Sequence, residues 1–240
     1  MQEHMEKALD PQRAYVRVVD YIKQEIRNGN LKIGSKLPPE RVLAEQLGVG
    51  RNSVREALRI LEIIGATTNT QGAGHFISGN FEISLAETMS IMFLLKGMSF
   101  QQISQLRYAL EKQAFALTVA NACEKDLDDL RAIVARLDRG VSEEENVLLD
   151  KQLHYTIARA SGNMLFVDIL NALSDVMDLF IADLRIDIMS ETHRKEALFA
   201  THRRIVEAIV NKDLPSGFEA IDEHFALIDQ RLRMRSLETP

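Results

Sequence analysis

Four side chains in the second half of the chain have the types and spacing to hold a divalent cation. Asp150 and His154 lie four residues apart, on one helical face with Val147, Leu153 and Ile157. His202 interrupts a stripe of Leu198, Ile205 and Ile209, and His224 interrupts one of Ile221, Ile228 and Leu232. Three separate helices thus each turn imidazole or carboxylate toward a core. A lone histidine on such a stripe is ordinarily a satisfied core residue, while His4 and His193 fit no stripe at all. Taken together, however, four polar groups on buried faces each need a partner, because an unpaired buried charge is costly. A shared metal ion removes that cost in one step. Three neutral imidazoles and one carboxylate suit Zn²⁺ first, with Ni²⁺, Mn²⁺ or Fe²⁺ as alternatives, and leave a position open to water or ligand. Arg107, flanked by Ile103, Leu110 and Ala114, is a fifth polar residue on an apolar face. Its planar fork suits a carboxylate, either that of a small acid or simply that of Glu111 one turn on.

The elements that must position these groups are helical. Beyond Ser84 the patterns predict helices over Leu85–Leu95, Phe100–Ala122, Lys125–Asp138, Glu143–Ala160, Met164–Ile188, Thr192–Asn211 and Ser216–Arg235. Breaks at Gly97, Gly140, Gly162 and Pro215 separate them. Seven antiparallel helices on short loops make an all-α bundle, whose sites are built from inward side chains on facing helices.

A different module precedes the bundle. Arg13–Asn28 predicts an amphipathic helix with Val16, Val19, Ile22 and Ile26 on one side, followed by a turn-rich loop with Gly34 and the Pro38–Pro39 pair. The stretch LPPERVLAEQLGVGRNSVREALRIL, Leu37–Leu61, has the layout of a helix-turn-helix. Val42, Leu43, Leu47 and Val49 can pack inward around a turn at Gly48. A second helix then opens near Arg51, with Val54, Ala57, Leu58 and Leu61 on its buried face. Arg51, Asn52, Ser53 and Arg55 fall in its first turns, where a recognition helix needs donors for a major groove. Arg41 is either part of the same basic patch or only the partner of Glu45, and Arg59 reads as a solvated charge. TTNTQGAGHFIS then predicts two short strands around a Gly-rich tip, a wing whose Gln71 and Gly72 allow close backbone approach to a groove.

Composition bounds the partners. The net charge of −6 divides unevenly: residues 1–80 hold 11 Lys/Arg against 9 Asp/Glu, and residues 81–240 hold 18 against 26. Attraction to phosphate must therefore come from a local patch around Arg41, Arg51 and Arg55. No apolar run is long enough to span a bilayer, so no membrane partner is expected. The single cysteine, Cys123, fits a reducing compartment and the cytoplasm. The expected fold is mainly α: a winged helix-turn-helix at 11–78, a linker at 79–83 and a helical bundle at 84–235.

These residues resemble the GntR family of bacterial repressors, in the FadR-like branch whose C-terminal half is the FCD helical domain. The resemblance runs from about Arg13 to Leu232. It rests on Gly34, LPPER (Leu37–Arg41), LA (Leu43–Ala44), LGVGR (Leu47–Arg51), VREAL (Val54–Leu58) and the GAGHFI wing. In the bundle it rests on R-x-x-x-E (Arg107, Glu111), D-x-x-x-H (Asp150, His154), SGN (Ser161–Asn163), H-x-x-I-x-x-A-I (His202–Ile209) and His224. It implies a homodimer on a palindromic double-stranded DNA operator, with a small effector in the C-terminal domain. It also implies that Arg41, Arg51 and Arg55 contact bases and phosphates, with Asn52, Ser53 and Gly72 beside them. Asp150, His154, His202 and His224 correspond to the metal set of the metal-binding FCD subgroup, and Arg107 to a contact for the effector's carboxylate. That complete metal set argues against an acyl-CoA effector. Gly50 stands where the family usually has Ser or Thr, and Ala73 and His75 stand where a basic residue and Thr are usual, which implies a weaker wing contact. A metalloenzyme with a DNA-binding appendage and a direct metal sensor are the competing readings; no acid–base motif accompanies the ligands to favour the enzyme.

Overall fold

The computed structural model describes residues 11–139, 142–190 and 192–238. The chain divides between Leu85 and Ala86 into two compact units. In the first, α1 (Pro11–Arg27), α2 (Glu40–Leu47) and α3 (Arg51–Ile63) precede a hairpin of β1 (Thr67–Thr70) and β2 (Gly74–Ile77). The strands pair antiparallel with Thr67 opposite Ile77 and Thr70 opposite Gly74, and Lys36 bridges to Phe76.

The buried face of α3 is Val54, Ala57, Leu58 and Leu61, as its spacing predicts. They meet Leu43 and Ala44 of α2, Val18 and Ile22 of α1, and Ile77 of the hairpin. The α1 stripe differs from expectation. Val16 and Ile26 are exposed, and the buried residues are Ala14, Val18 and Ile22, an i,i+4 series that the expected stripe crosses. Val42 is exposed as well. Gly48 ends α2 in the left-handed region at φ 60°, which the sharp turn into α3 requires. Gly65 is left-handed too, and a Cβ there would stand 2.0 Å from the Asn80 carbonyl oxygen.

The second unit is helical among its described residues. α4 (Glu82–Lys96) is followed by α5 (Phe100–Asn121), α6 (Glu124–Leu137), α7 (Glu143–Ala160), α8 (Met164–Ser190), α9 (Thr192–Asn211) and α10 (Leu214–Glu238). Helix α4 begins at Glu82, so the expected linker loses its last two residues to helix. Pro215 does not separate helices: it sits in the first turn of α10, where the missing N–H costs nothing. Gly97 and Gly162 turn the chain in the left-handed region, while Gly140, the third expected glycine break, lies outside the described residues. So do His4 and the side chain of His193. Helix α5 packs on α7 and α10, and α9 on α10, around Phe115, Leu153, Ile209 and Ile221. Among the described residues no helix is long and apolar enough to cross a membrane.

Candidate metal centre and nucleic-acid interface

The four expected metal ligands come together from three helices. Helix α7 supplies Asp150 and His154 from successive turns, α9 supplies His202 and α10 supplies His224. The ring centroids stand 5.6 Å (His154–His202), 5.2 Å (His154–His224) and 4.8 Å (His202–His224) apart. One nitrogen of each ring lies within 4.8 Å of those of the other two. Asp150 Oδ1 is 3.3 Å from His202 Nε2 and 3.7 Å from His154 Nε2. Asp150, His202 and His224 are all buried.

Two of the three rings have their Nδ1 engaged. His154 Nδ1 lies 2.6 Å from Glu111 Oε2 and keeps its proton there, so Nε2, on the Asp150 side, is the nitrogen a cation would take in exchange for a proton. Thr201 donates its hydroxyl to the Leu198 carbonyl at 2.7 Å, and the same oxygen lies 3.1 Å from His224 Nδ1, which therefore donates to it. His224 Nε2 is then an unprotonated lone pair, buried and without a hydrogen-bond partner. Both nitrogens of His202 are also buried and without a hydrogen-bond partner, Asp150 Oδ1 standing 3.3 Å from Nε2. Each orphan of this kind costs about 1–3 kcal/mol. A cation in their midst would bond His224 Nε2, one nitrogen of His202 and the Asp150 carboxylate, donors that Zn²⁺ takes. The residues fit a divalent metal.

The electrostatics agree with that fit. Burial pulls His202 down to about 4, with Asp150 opposing only in part, so its ring is neutral at neutral pH. Burial, then the neighbouring His202 and His154 rings, push His224 well below its ordinary value. Burial also acts downward on His154, but the carboxylates of Glu111 and Asp150 overcome it and raise that ring to about 9. The position thus favours positive charge. Burial by itself drives the Glu111 carboxyl up, yet His154 and the Arg107 guanidinium hold it well below the usual carboxylate range.

Glu111 and Thr201 are not legible as site residues in the sequence. By spacing Glu111 is a mere i+4 partner for Arg107, and it is that partner: Arg107 Nη2 and Nε donate to Glu111 Oε1 at 2.7 and 3.0 Å. Its other oxygen, on His154, is the part that sequence cannot show. Nothing in the helical pattern marks Thr201, although a buried threonine one residue before a core histidine is a weak signal. A narrow cavity adjoins the centre, lined by Glu111, His154, His224 and apolar side chains including Phe115, Leu170 and Phe225.

In the first unit, α2 and α3 carry the expected DNA-reading set on an exposed surface. Arg41, Arg51, Asn52 and Arg55 are exposed and Ser53 partly so. Gly50 precedes α3 in extended conformation with no side-chain cap, so the first turn of α3 keeps amides for a phosphate. Arg41 pairs with Glu45 at 2.9 Å, the simple partnership its spacing allows. Arg55 pairs with Glu40 at 3.0 Å, while Arg51 has no ion-pair partner among the described residues. Gly72 lies exposed in the turn of the wing at φ 78°.

Comparison with known proteins agrees with both halves. Residues 14–77 match the bacterial regulatory proteins of the gntR family, and residues 102–227 match the FCD domain. The HTH-type transcriptional regulator LutR of Bacillus subtilis is 30% identical over 189 residues, 77% of this chain and 85% of that protein. The Uxu operon transcriptional regulator of Escherichia coli is 28% identical over 234 residues, 95% of this chain and 90% of that protein. The solved structure of Streptococcus agalactiae GntR aligns with TM-score 0.65 at 24% identity, covering 90% of this chain and 99% of that one, and shares the fold. The first unit is thus the DNA-binding part of a regulator, and the chain belongs to the GntR family of bacterial transcriptional regulators with an FCD domain as its C-terminal half.

Proposed function

We propose that the protein is a metal-dependent repressor that binds a palindromic operator as a homodimer and responds to a small carboxylate. The observation that carries this reading is the convergence of Asp150, His154, His202 and His224 in the unit that does not read DNA. They would hold a divalent cation, Zn²⁺ by donor set, which supplies an open position to an oxygen ligand.

Charge favours an anion there. Asp150 and Glu111 carry two negative charges against one positive on Arg107, with His202 and His224 neutral. A divalent cation replacing the His154 proton leaves the centre with one positive charge in an apolar setting. A monocarboxylate cancels it, and the narrow apolar cavity keeps that acid small. On the DNA side, Arg51 and Arg55 reach base edges from the start of α3, while Arg41, Asn52, Ser53 and Gly72 hold phosphates. Two copies related by a twofold axis set their recognition helices about one helical turn apart, matching a palindrome. A dimer seated on a promoter blocks polymerase, so repression is the simplest output.

Regulation requires that the acid prefer one arrangement of the DNA-binding units, and linkage makes the preference mutual. The test selects an operator from random duplexes and measures its affinity with Zn²⁺, with chelator, and with Zn²⁺ plus a panel of small acids. At least one acid is expected to change affinity by about fivefold or more. A response to chelator but to no acid would make the protein a direct metal sensor, and indifference to both would overturn the reading.

A further inference from the structure

We propose that Arg107 is a positioning residue of the metal centre, acting through Glu111 on His154, rather than a contact for the effector. The proposal rests on the reading of Asp150, His154, His202 and His224 as metal ligands. Arg107 and Glu111 face inward from successive turns of α5 and are 5% and 8% exposed. Two guanidinium nitrogens, Nε and Nη2, converge on Glu111 Oε1. The other carboxylate oxygen, Oε2, lies 2.6 Å from His154 Nδ1. One carboxylate therefore spans guanidinium and ring, an oxygen to each.

The third nitrogen, Nη1, faces Met177 Sδ at 3.3 Å. Every guanidinium nitrogen thus has a neighbour, and Glu111 already occupies the edge on which a fork receives a carboxylate. An incoming acid could take that edge only by displacing Glu111, leaving two buried carboxylates to share one cation. The wall of the cavity beside the centre includes Glu111 but not Arg107. With Oε1 clamped, the carboxylate cannot rotate, so Oε2 gives His154 a fixed acceptor and points its Nε2 at the other donors. Hydrogen bonds of this kind, one layer out from the ligands, set ring orientation and ligand strength in metal sites.

The test uses the full chain, with Zn²⁺ affinity from competition against a chromophoric chelator and the Co²⁺ visible spectrum as a reporter of ligand geometry. Arg107→Lys keeps the charge and loses the fork, and Glu111→Gln weakens the acceptor. Each is expected to lower Zn²⁺ affinity about ten- to hundredfold and to change the Co²⁺ bands. The double variant is expected to lose no more than the worse single one, because both act along one line. Unchanged Zn²⁺ affinity in both variants overturns the proposal, as does a loss in Arg107→Lys that Glu111→Gln does not reproduce. If Arg107→Lys does not fold, the Zn²⁺ affinity and Co²⁺ bands of Glu111→Gln decide alone. Failure of the wild-type chain to bind Zn²⁺ would instead sink the metal reading itself.

Discussion

Each unit of the molecule contains an arginine–glutamate pair of nearly the same length, and the two pairs serve opposite ends. Arg55 reaches Glu40 at 3.0 Å with two-thirds of its side chain in solvent; Arg107 reaches Glu111 at 2.7 Å with almost none. The exposed pair contributes little, since water screens it and both side chains give up rotamer freedom to hold it. A phosphate can therefore take Arg55 from Glu40 at small cost. Removing one member of the buried pair strands a charge, which costs about 3–5 kcal/mol. Arg107 is thus held in place while Arg55 is available for exchange. The residue types are the same and the distances similar; solvent decides the role.

That contrast can be broken most forcefully at the centre. His202→Ala deletes a proposed ligand with no exposed surface, and Zn²⁺ affinity is expected to fall by more than about 100-fold, beyond what loss of an outer hydrogen bond causes. Duplex binding by metal-free protein should be the same in variant and wild type. Retained Zn²⁺ after dialysis, measured by elemental analysis, would contradict the four-ligand assignment.

Acidification comes next. His154 is raised to about 9 in the metal-free protein, so at pH 7 it carries a proton that an incoming cation must displace. Its raised value places the protonated range below about pH 9, so affinity is expected to drop about tenfold per unit as pH falls from 8 to 6. His202, lowered to about 4, adds a second proton only in stronger acid. Calorimetry in buffers of different ionisation enthalpy should count about one proton released at pH 7. None released would mean that His154 is not a ligand.

On the exposed side the effects are smaller and depend on salt. Arg51→Ala or Arg55→Ala should weaken binding to a selected operator at least about fivefold, with metal content unchanged. Equal affinity at matched salt would remove that residue from the interface. Glu40→Gln sharpens the comparison with the least change. It frees Arg55 and removes a negative charge near phosphate, so affinity for any duplex should rise by less than about fivefold. A fall instead would show that Glu40 holds Arg55 in its reading position.

The same contrast explains what the sequence makes legible. The α3 face is legible because Val54, Ala57, Leu58 and Leu61 form one unambiguous stripe against polar neighbours. The α1 face is not, because Val16, Val19, Ile22 and Ile26 compete with Ala14, Val18 and Ile22 at equally helical spacing. Only contact with α2 and α3 chooses between them. The cluster of Asp150, His154, His202 and His224 is legible as polar residues interrupting apolar stripes. Glu111 and Thr201 are hidden behind innocent local partners, Arg107 and the Leu198 carbonyl.

By itself the sequence determined the helical and hairpin elements, the split into a DNA-reading unit and a helical unit, and the three stripes that carry Asp150 and the histidines. Helical periodicity is a local property, so it survives in one dimension. The tertiary structure decided which stripe of α1 is buried, that three helices meet where their donors converge, and that Glu111 joins Arg107 to His154. Those outcomes depend on distances between segments far apart in the chain, and on the solvent each segment denies the others.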